Sequence, residues 1–307
     1  MRAARIHRFG PPNVIVIDDV AKPIPGDREI LVRVTAAGVG PWDALIREGN
    51  SKVSPQPPLT LGSDLSGIVE AVGPGVTGFN SGDEVYGVTN PQFCGAYAEY
   101  ALAQSSMIAR KPARLTHVEA ASVPVVAVTA WQMLFDYAHL QAGATALILG
   151  AAGSVGAYAV QLAARSGIHV FATAGSDDME YVRELGAETV VDYRSDKLDY
   201  AAWSVDAVLD LVGGKTREES SRALKAGGVL VSAVSPDPLR QRSDVRSVFF
   251  YVEVTTKRLN TISELLDTGK LSTDVGTVLP LDQVRVAHEM LAGAPHARGK
   301  IVLRVGG

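Results

Sequence analysis

The sequence predicts an α/β protein in which a doubly wound parallel sheet is inserted into a β-barrel-type domain. Three patterns predict it. Short strand patterns between Gly and Pro turns fill the first part of the chain, strand and helix patterns alternate from residue 124, and the tail returns to strand. We therefore expect one domain from residues 1–123 and 270–307, and an inserted domain from residues 124–269.

The first domain is expected to be a barrel or sandwich of short strands. Residues 29–38 alternate partly with the period of two that a half-buried strand shows. Residues 67–73 form a second strand pattern that ends at a Pro-Gly turn, and residues 82–87 repeat the order of turn and strand. Frequent turns of this kind are typical of antiparallel all-β domains.

The inserted domain is expected to hold parallel strands joined by helices. Apolar runs at 144–150, 168–173, 205–212 and 229–234 are separated by helical patterns, and this alternation is typical of a doubly wound sheet. After a helix from about residue 256 to 266, the tail predicts a strand at 277–279, a helix at 281–291 and a final strand at 300–305.

Composition excludes several classes of protein. The chain of 307 residues has 29 Lys and Arg against 33 Asp and Glu, and 47% of its residues are hydrophobic. It is therefore expected to be globular rather than disordered, and neither nucleic acid nor an anionic membrane is expected as its main partner. A single cysteine, Cys94, excludes an internal disulfide and a four-cysteine zinc site.

No targeting or membrane-spanning segment is expected. The basic N-terminus has no apolar run behind it, unlike a signal peptide. The longest uncharged stretch, Leu140–Ala164, is interrupted by several glycines, so a strand, a turn and a buried helix explain it better than a membrane span. We expect a cytoplasmic protein.

A Gly-rich turn, residues 147–156 (LILGAAGSVG), is the sharpest functional signal. It lies between a predicted strand and a predicted helix, as a dinucleotide fingerprint requires. Ala151 stands at the first Gly of the G-x-G-x-x-G pattern. Gly153 would let the backbone approach a pyrophosphate, and Gly156 would allow close packing of helix and strand. The alternative is a plain turn in an α/β domain that binds no nucleotide.

The end of the second strand of this domain favours NADPH over NADH. An NAD site usually places an acid about twenty residues after the turn, and Thr173 lies there instead. Asp177 and Asp178 follow soon after, with no Arg or Lys adjacent, so NADH stays open as an alternative.

Several motifs together resemble the zinc-independent medium-chain dehydrogenase/reductases, specifically the quinone oxidoreductases of the zeta-crystallin type. The resemblance covers nearly the whole chain. The matching stretches are 38–43 (GVGPWD) with 47–49, 61–67 (LGSDLSG), 72–76, 82–86, 120–124 with 129–131, 150–156, 185–187 with 192–193, and 299–303 (GKIVL).

The resemblance implies a GroES-like β domain for the substrate, a Rossmann domain for the coenzyme, and NADPH as the reductant. It also implies coenzyme-binding positions. These are Thr129 near the nicotinamide; Ala152, Gly153, Ser154 and Val155 at the pyrophosphate; Ser176 and Tyr193 at the adenosine end; Leu211 and Val212 beside adenine and ribose; Phe250 and Val252 at the carboxamide; and Arg298 and Lys300 at the remaining polar edge. On sequence grounds alone, core packing explains Leu211, Val212 and Val252 equally well, and a lysine that opens a strand is usually solvated.

The chain also departs from relatives. Zinc-dependent members carry a Cys near Gly40 and a His where Ser63 stands, so no zinc is expected here. Gly40, Trp42, Leu45 and Phe93 are candidates for the substrate pocket, although relatives often have polar side chains at positions 40 and 45. Asp43 and Asp64 are candidate acids, but helix or turn capping explains each of them better than catalysis.

Three functions are consistent with these residues. The first is an NADPH-dependent reductase of a quinone or another conjugated carbonyl, which needs no metal because the acceptor spreads the incoming charge over its own π system. The second is a reductase of alkenals or other activated double bonds. The third is a catalytically weak protein that senses NADPH or serves a structural role.

The aromatic, β-branched segment 245–252 predicts an edge strand, and the resemblance implies that it pairs with a second copy in a homodimer.

Overall fold

The computed structural model describes residues 1–53, 55–195, 198–240 and 242–306. The chain divides into two compact units, one made of Met1–Val125 with Val254–Gly307 and the other of Val126–Glu253.

The elements follow one another along the chain. The strands are β1 (Arg2–Ile6), β2 (Ile15–Asp19), β3 (Glu29–Val39), β4 (Leu59–Thr60), β5 (Asp64–Val72), β6 (Glu84–Val88), β7 (Tyr100–Gln104), β8 (Ile108–Arg110), β9 (Thr145–Ile148), β10 (His169–Ala174), β11 (Thr189–Asp192), β12 (Val205–Asp210), β13 (Leu224–Ser232), β14 (Arg246–Phe249), β15 (Val275–Pro280) and β16 (Lys300–Arg304). The helices are α1 (Pro41–Glu48), α2 (His117–Ala121), α3 (Pro124–Trp131), which continues as a π-helix over Gln132–Tyr137, α4 (Ser154–Arg165), α5 (Met179–Glu184), α6 (Gly214–Ser220), α7 (Thr256–Asp267) and α8 (Val284–Leu291).

The first unit is built on the long strand β3. Its sheet runs in the order β15-β16-β3-β5-β6-β8, and β7 also pairs with β3. The pairing is antiparallel except between β15 and β16. A smaller sheet has the order β2-β1-β4. Apolar side chains from both sheets and from α1 and α8 form one buried core. The first unit is thus a β domain, and strands β15 and β16 of the tail lie in its sheet.

The second unit is a doubly wound parallel sheet in the order β11-β10-β9-β12-β13-β14. Most residues of β9, most of β12 and the second half of β13 are apolar and buried, as expected for strands covered on both faces. The predicted α/β fold is confirmed. The order reverses between β9 and β12, which is the switch point where such sheets bind their ligands.

The inserted unit is shorter than the sequence predicts. The prediction ends it at residue 269, whereas the structure assigns residues 254–269 to the first unit. Helix α7 belongs there because Thr256 Oγ1 donates to the Ile108 carbonyl at 2.7 Å. Tyr86 on β6 likewise donates its hydroxyl to the Leu259 carbonyl at 2.8 Å.

Candidate functional site

The Gly-rich turn connects β9 to α4 at the carboxyl edge of the parallel sheet. Gly150 has a φ of 69°, in the left-handed region that favours glycine. A Cβ on Gly156 would lie 2.4 Å from the Gly150 carbonyl oxygen and 2.7 Å from the Ala151 Cα. Only glycine therefore fits at position 156, in agreement with the close packing that the fingerprint predicts.

The first turn of α4 offers backbone amides to a ligand. Gly153 is the N-cap and has no side chain to accept hydrogen bonds from the amides behind it. The Ala157 amide donates to the Gly153 carbonyl at 2.9 Å. The helix does not use the amides of Ser154 and Val155, and the helix dipole favours negative charge at this end. The turn therefore fits a pyrophosphate.

Leu211 and Val212, which the resemblance places beside adenine and ribose, lie next to this turn. They follow β12, the neighbour of β9 on the other side of the switch point. Val212 Cγ2 lies 3.2 Å and Leu211 Cβ 3.8 Å from the position that a Cβ on Gly150 would take. Val212 is 53% exposed, so it is an apolar side chain that the core does not bury.

The structure also brings Ser176 and Tyr193 to one place. Ser176 follows β10 and Tyr193 follows β11, and the Tyr193 amide donates to the Ala174 carbonyl at 3.1 Å. Arg194 completes the cluster. Its Nη2 donates to the Tyr193 hydroxyl at 3.0 Å, and its guanidinium lies 5.1 Å from the centroid of the Tyr193 ring.

Arg194 is a cation that the sequence reasoning missed. Its Nη2 lies 3.8 Å from the position of a Cβ on Gly175, directly after β10. The hydrogen bond to Tyr193 raises the pKa of the Arg194 guanidinium, and the charge of Asp177 acts in the same direction. Arg194 is 17 residues from Asp177 in the sequence, so local sequence does not reveal their proximity. Because β10 and β11 are parallel neighbours, the end of β11 was the other place to look.

The other predicted coenzyme residues of this unit are Thr129, Phe250 and Val252. Thr129 is buried in α3. Phe250 is buried with its ring centroid 4.5 Å from that of Tyr137, and Val252 is half-buried. Phe250 follows β14, three strands from β9, a distance of about 14 Å at normal strand spacing. Their roles stay predictions.

In the first unit, Trp42 fills the space next to Gly40. A Cβ on Gly40 would lie 2.3 Å from Trp42 Cη2, so the indole occupies the volume that any side chain at position 40 would need. Trp42 Nε1 donates to Ser63 Oγ at 2.8 Å. Phe93 is half-buried against the core, whereas Leu45 is 49% exposed. The structure therefore joins Gly40 and Trp42 and leaves Leu45 on the surface of α1.

Lys300 is not solvated, contrary to the usual behaviour of a strand-opening lysine. It is 4% exposed, with its Nζ 3.5 Å from Asp64 Oδ2 and 4.1 Å from the centroid of the Trp42 ring. It is buried because β16 pairs with β3, which pairs in turn with β5, where Asp64 lies. Arg298 is exposed and pairs with Asp274 at 3.5 Å.

Asp43 and Asp64 are both fully buried and both cap helices, as the sequence reasoning preferred. Asp43 Oδ2 accepts from the Gly40 amide at 2.8 Å and from the Tyr97 hydroxyl at 2.9 Å. Asp64 Oδ1 accepts from the Val125 amide in the first turn of α3 at 3.2 Å.

Burial shifts the pKa of each charged group in this cluster. It raises the pKa of Asp43 to about 7 and that of Asp64 to about 6, although the Lys300 ammonium opposes both shifts. Burial also lowers the pKa of Lys300. The Lys300 ammonium therefore contacts Asp64 directly, and its charge also acts on Asp43.

The zinc positions of metal-dependent relatives do not fit a metal here. The resemblance places Gly40 and Ser63 at those positions, Gly40 has no side chain that could bind a metal, and the Trp42 ring covers it. The residues that the structure describes include no group of three or more His, Cys, Asp or Glu that could hold a metal ion. Within the same residues, no helix has the length and apolar character needed to cross a membrane.

Comparison with known families finds matches over both parts of the chain. A family model described as the alcohol dehydrogenase GroES-like domain matches residues 26–113, and one described as zinc-binding dehydrogenase matches residues 185–303. A quinone oxidoreductase of Lama guanicoe is 32% identical over an alignment of 322 positions, gaps included, that covers 99% of this chain and 97% of the relative.

Solved structures also resemble this chain over nearly its whole length. The quinone oxidoreductase from Coxiella burnetii superposes with a TM-score of 0.93 at 32% identity, over 100% of this chain and 99% of the other. A mycobacterial protein complexed with NADPH superposes with a TM-score of 0.88 at 28% identity, over 99% of this chain and 100% of the other.

Proposed function

We propose that the protein is a zinc-free reductase that uses NADPH to reduce a quinone or another conjugated carbonyl. The premise is that the chain belongs to the quinone oxidoreductases of the medium-chain dehydrogenase/reductase family and is an NAD(P)H-dependent oxidoreductase. The relatives named quinone oxidoreductase support the substrate class. The NADPH complex of a structural relative supports the coenzyme.

The position of Arg194 is the observation that carries the choice of NADPH. In a doubly wound sheet the end of the second strand, here β10, faces the adenosine ribose. No acid stands at that strand end to bind a 2′-hydroxyl, and the Arg194 guanidinium lies beside it. A guanidinium binds phosphate with several donors at once, so Arg194, with the hydroxyls of Ser176 and Tyr193, would hold the 2′-phosphate.

The residues of the chain bind and orient the coenzyme rather than carry out redox chemistry themselves. The α4 amides would receive the pyrophosphate, and Leu211 and Val212 would enclose the adenosine side. When bound, NADPH supplies a hydride from its reduced nicotinamide ring. Trp42 is half-buried, and the exposed part of its indole would contact a planar acceptor. The indole is fixed by Ser63 and by the Lys300 ammonium.

A conjugated acceptor suits a site without a metal. The family model that matches residues 185–303 is described as zinc-binding, but Gly40 and Ser63 lack the ligands and Trp42 covers the space. Without a Lewis acid, an isolated carbonyl is poorly polarised. A quinone or enone delocalises the incoming charge itself, so correct orientation accounts for a larger part of the rate.

Coenzyme titration tests the proposal. Wild-type protein should bind NADPH at least about tenfold more tightly than NADH, a difference of about 1.4 kcal/mol. Arg194→Gln should remove most of that preference and leave NADH binding unchanged. Arg183→Gln is a matched control, because Arg183 is an exposed arginine on α5 that pairs with Glu180 at 3.0 Å. Equal affinity of Arg194→Gln and wild type for NADPH would contradict the role of Arg194.

Turnover with a panel of small quinones and a panel of alkenals tests the substrate class. Faster NADPH oxidation with quinones supports the proposal, and faster oxidation with alkenals assigns the enzyme to the second class of reductase. Tight NADPH binding without turnover on either panel would favour a coenzyme sensor, an alternative that the apolar residues Gly40 and Leu45 keep open.

We also propose that the protein is a homodimer. Strand β14 is the edge of the parallel sheet, and Phe249 and Tyr251 stack edge to face at 5.3 Å, with Tyr251 64% exposed. An uncovered apolar edge strand favours pairing with a second copy. Light scattering at micromolar concentration should give twice the mass of the chain, 32.4 kDa. We also propose a cytoplasmic location, with which the single cysteine is compatible.

A further inference from the structure

Asp210, at the carboxyl end of β12, is a buried carboxylate that neither the sequence motifs nor the proposed chemistry uses. It is fully buried. Its Oδ1 accepts from the Val212 amide at 3.1 Å and from the Gly213 amide at 2.7 Å. The side chain therefore closes the turn that follows its own strand, as Asp does in Asx turns.

The second oxygen of Asp210 ties this turn to the next one. Oδ2 accepts from the Ser232 hydroxyl at the end of β13 at 2.7 Å. Ser232 Oγ accepts in turn from the amides of Val234 at 3.2 Å and Ser235 at 3.0 Å. One carboxylate thus connects the turns after two neighbouring strands at the edge where the Gly-rich turn lies.

Arg217 on α6 balances the charge of Asp210. Its Nε lies 3.6 Å from Asp210 Oδ2, and its side chain is 4% exposed. Its Nη2 donates to Ser247 Oγ at 2.9 Å and also to the Asp237 carbonyl. Hydrogen bonds to an ionised carboxylate are about twice as strong as neutral ones. Asp210 therefore holds the two amides of the turn after β12 more strongly than a neutral side chain would.

This turn needs such a restraint because of its backbone. Gly213 and Gly214 have φ values of 80° and 57°, and glycine has the most conformational freedom to lose on folding. The same turn carries Val212, which lies 3.2 Å from the Cβ position of Gly150 and is half exposed. Its place relative to the Gly-rich turn is thus set by Asp210.

We propose that Asp210 is a positioning residue for the coenzyme, which holds the turn of residues 211–214 so that Leu211 and Val212 form one wall of the site beside the Gly-rich turn. The proposal rests on the proposed function in one respect, because it requires a coenzyme at this edge of the sheet. Asp210 acts through the turn and does not itself touch the coenzyme.

Asp210→Asn is the test, because it keeps the shape of the side chain and removes its charge. The two amides of the turn lose a charged acceptor, and one carboxylate oxygen becomes an amide donor. We expect the Kd for NADPH and its KM to rise about tenfold, as for the loss of roughly one charge-assisted hydrogen bond. The kcat at saturating NADPH should change less than about twofold, because the wall binds without reacting.

Asp206→Asn is a matched control on the same strand. Asp206 Oδ2 accepts from the Thr145 amide at 2.8 Å, and its Oδ1 pairs with Lys225 Nζ at 2.7 Å. It lies four residues from Asp210, about 13 Å away at the opposite edge of the sheet. This variant should lower the melting temperature and leave the Kd for NADPH unchanged.

Ser232→Ala is a second test that keeps the buried carboxylate and its charge. It should raise the Kd for NADPH by a smaller factor than Asp210→Asn. A folded Asp210→Asn with wild-type affinity would overturn the positioning role, as would an equal loss of affinity in Asp206→Asn. If Asp210→Asn does not fold, wild-type affinity in Ser232→Ala overturns it instead. Wild-type protein that binds neither NADPH nor NADH would contradict the proposed function itself.

Discussion

Replacing Asp43 with Asn should change how the stability of the protein depends on pH. Asp43 is fully buried, and its Oδ2 already accepts from the Gly40 amide and the Tyr97 hydroxyl. Its Oδ1 has no hydrogen-bond partner among the described residues. The amide of Asn can keep both bonds through its oxygen. Its nitrogen takes the place of Oδ1, and the cost of burying that nitrogen is the same at every pH, so the pH dependence reports the lost carboxyl alone.

The sign of the effect follows from the pKa shift. Burial raises the pKa of Asp43 from 3.8 to about 7, so between these values the folded chain holds a proton that the unfolded chain has lost. The stability that this proton provides is complete below about pH 4 and is lost as the pH rises to about 7. Asp64, whose pKa is raised to about 6, acts in the same direction in wild type and variant alike.

The size of the stability change depends on how many pH units lie between the start of the measurement, pH 5, and the pKa of Asp43 at about 7. That interval is about two units. At ~1.4 kcal/mol per unit, the wild type should lose roughly 3 kcal/mol of its free energy of unfolding from pH 5 to pH 8 through this group. Asp43→Asn has no carboxyl to titrate here and does not lose this free energy. The difference in unfolding free energy between the variant and wild type should therefore shift in favour of the variant by roughly 3 kcal/mol from pH 5 to pH 8.

Urea unfolding at pH 5, 6, 7 and 8 measures the difference. Asp27→Asn is the control, since Asp27 is exposed and pairs only weakly with Arg28 at 3.8 Å. Curves of unfolding free energy against pH that run parallel for Asp43→Asn and wild type would refute the reasoning.

The remaining predictions concern the Gly-rich turn, the buried lysine and the aromatic wall. Gly156→Ala should weaken NADPH binding at least about tenfold, because its Cβ would overlap the Gly150 carbonyl; fluorescence titration checks this, and wild-type affinity would contradict the tight turn. Lys300→Met should lower the free energy of unfolding by about 3–5 kcal/mol at pH 8 by leaving Asp64 buried and unpaired. The difference in unfolding free energy between wild type and Lys300→Met should be smaller at pH 5, below the Asp64 pKa of about 6. Urea unfolding at both pH values measures it, and a difference that does not change with pH would count against the ion pair. Trp42→Ala should raise the KM for a quinone while Trp42→Phe retains most of the affinity, which steady-state kinetics can measure; an unchanged KM in Trp42→Ala would remove the indole from the substrate site.

The sequence was sufficient for features that depend on local spacing. The Gly-rich turn, the alternation of strand and helix, and the return of the tail to the first unit were all predicted from short windows. Gly156 is an example, because the need for glycine arises from contacts within the same turn. The end of the inserted unit was misplaced because the amphipathic pattern of α7 is the same whichever sheet it packs against.

Only the tertiary structure decided what the charged residues do. Lys300 opens a strand and would be solvated by its local sequence, yet the pairing of β16, β3 and β5 buries it against Asp64. Arg194 reaches the end of β10 because parallel strands bring their carboxyl ends to one edge. Asp210 meets Ser232 at the end of β13 for the same reason, and Arg217 reaches Asp210 from α6. Secondary structure depends on neighbours within a few residues, whereas burial and charge pairing depend on residues that the fold brings together from distant parts of the chain.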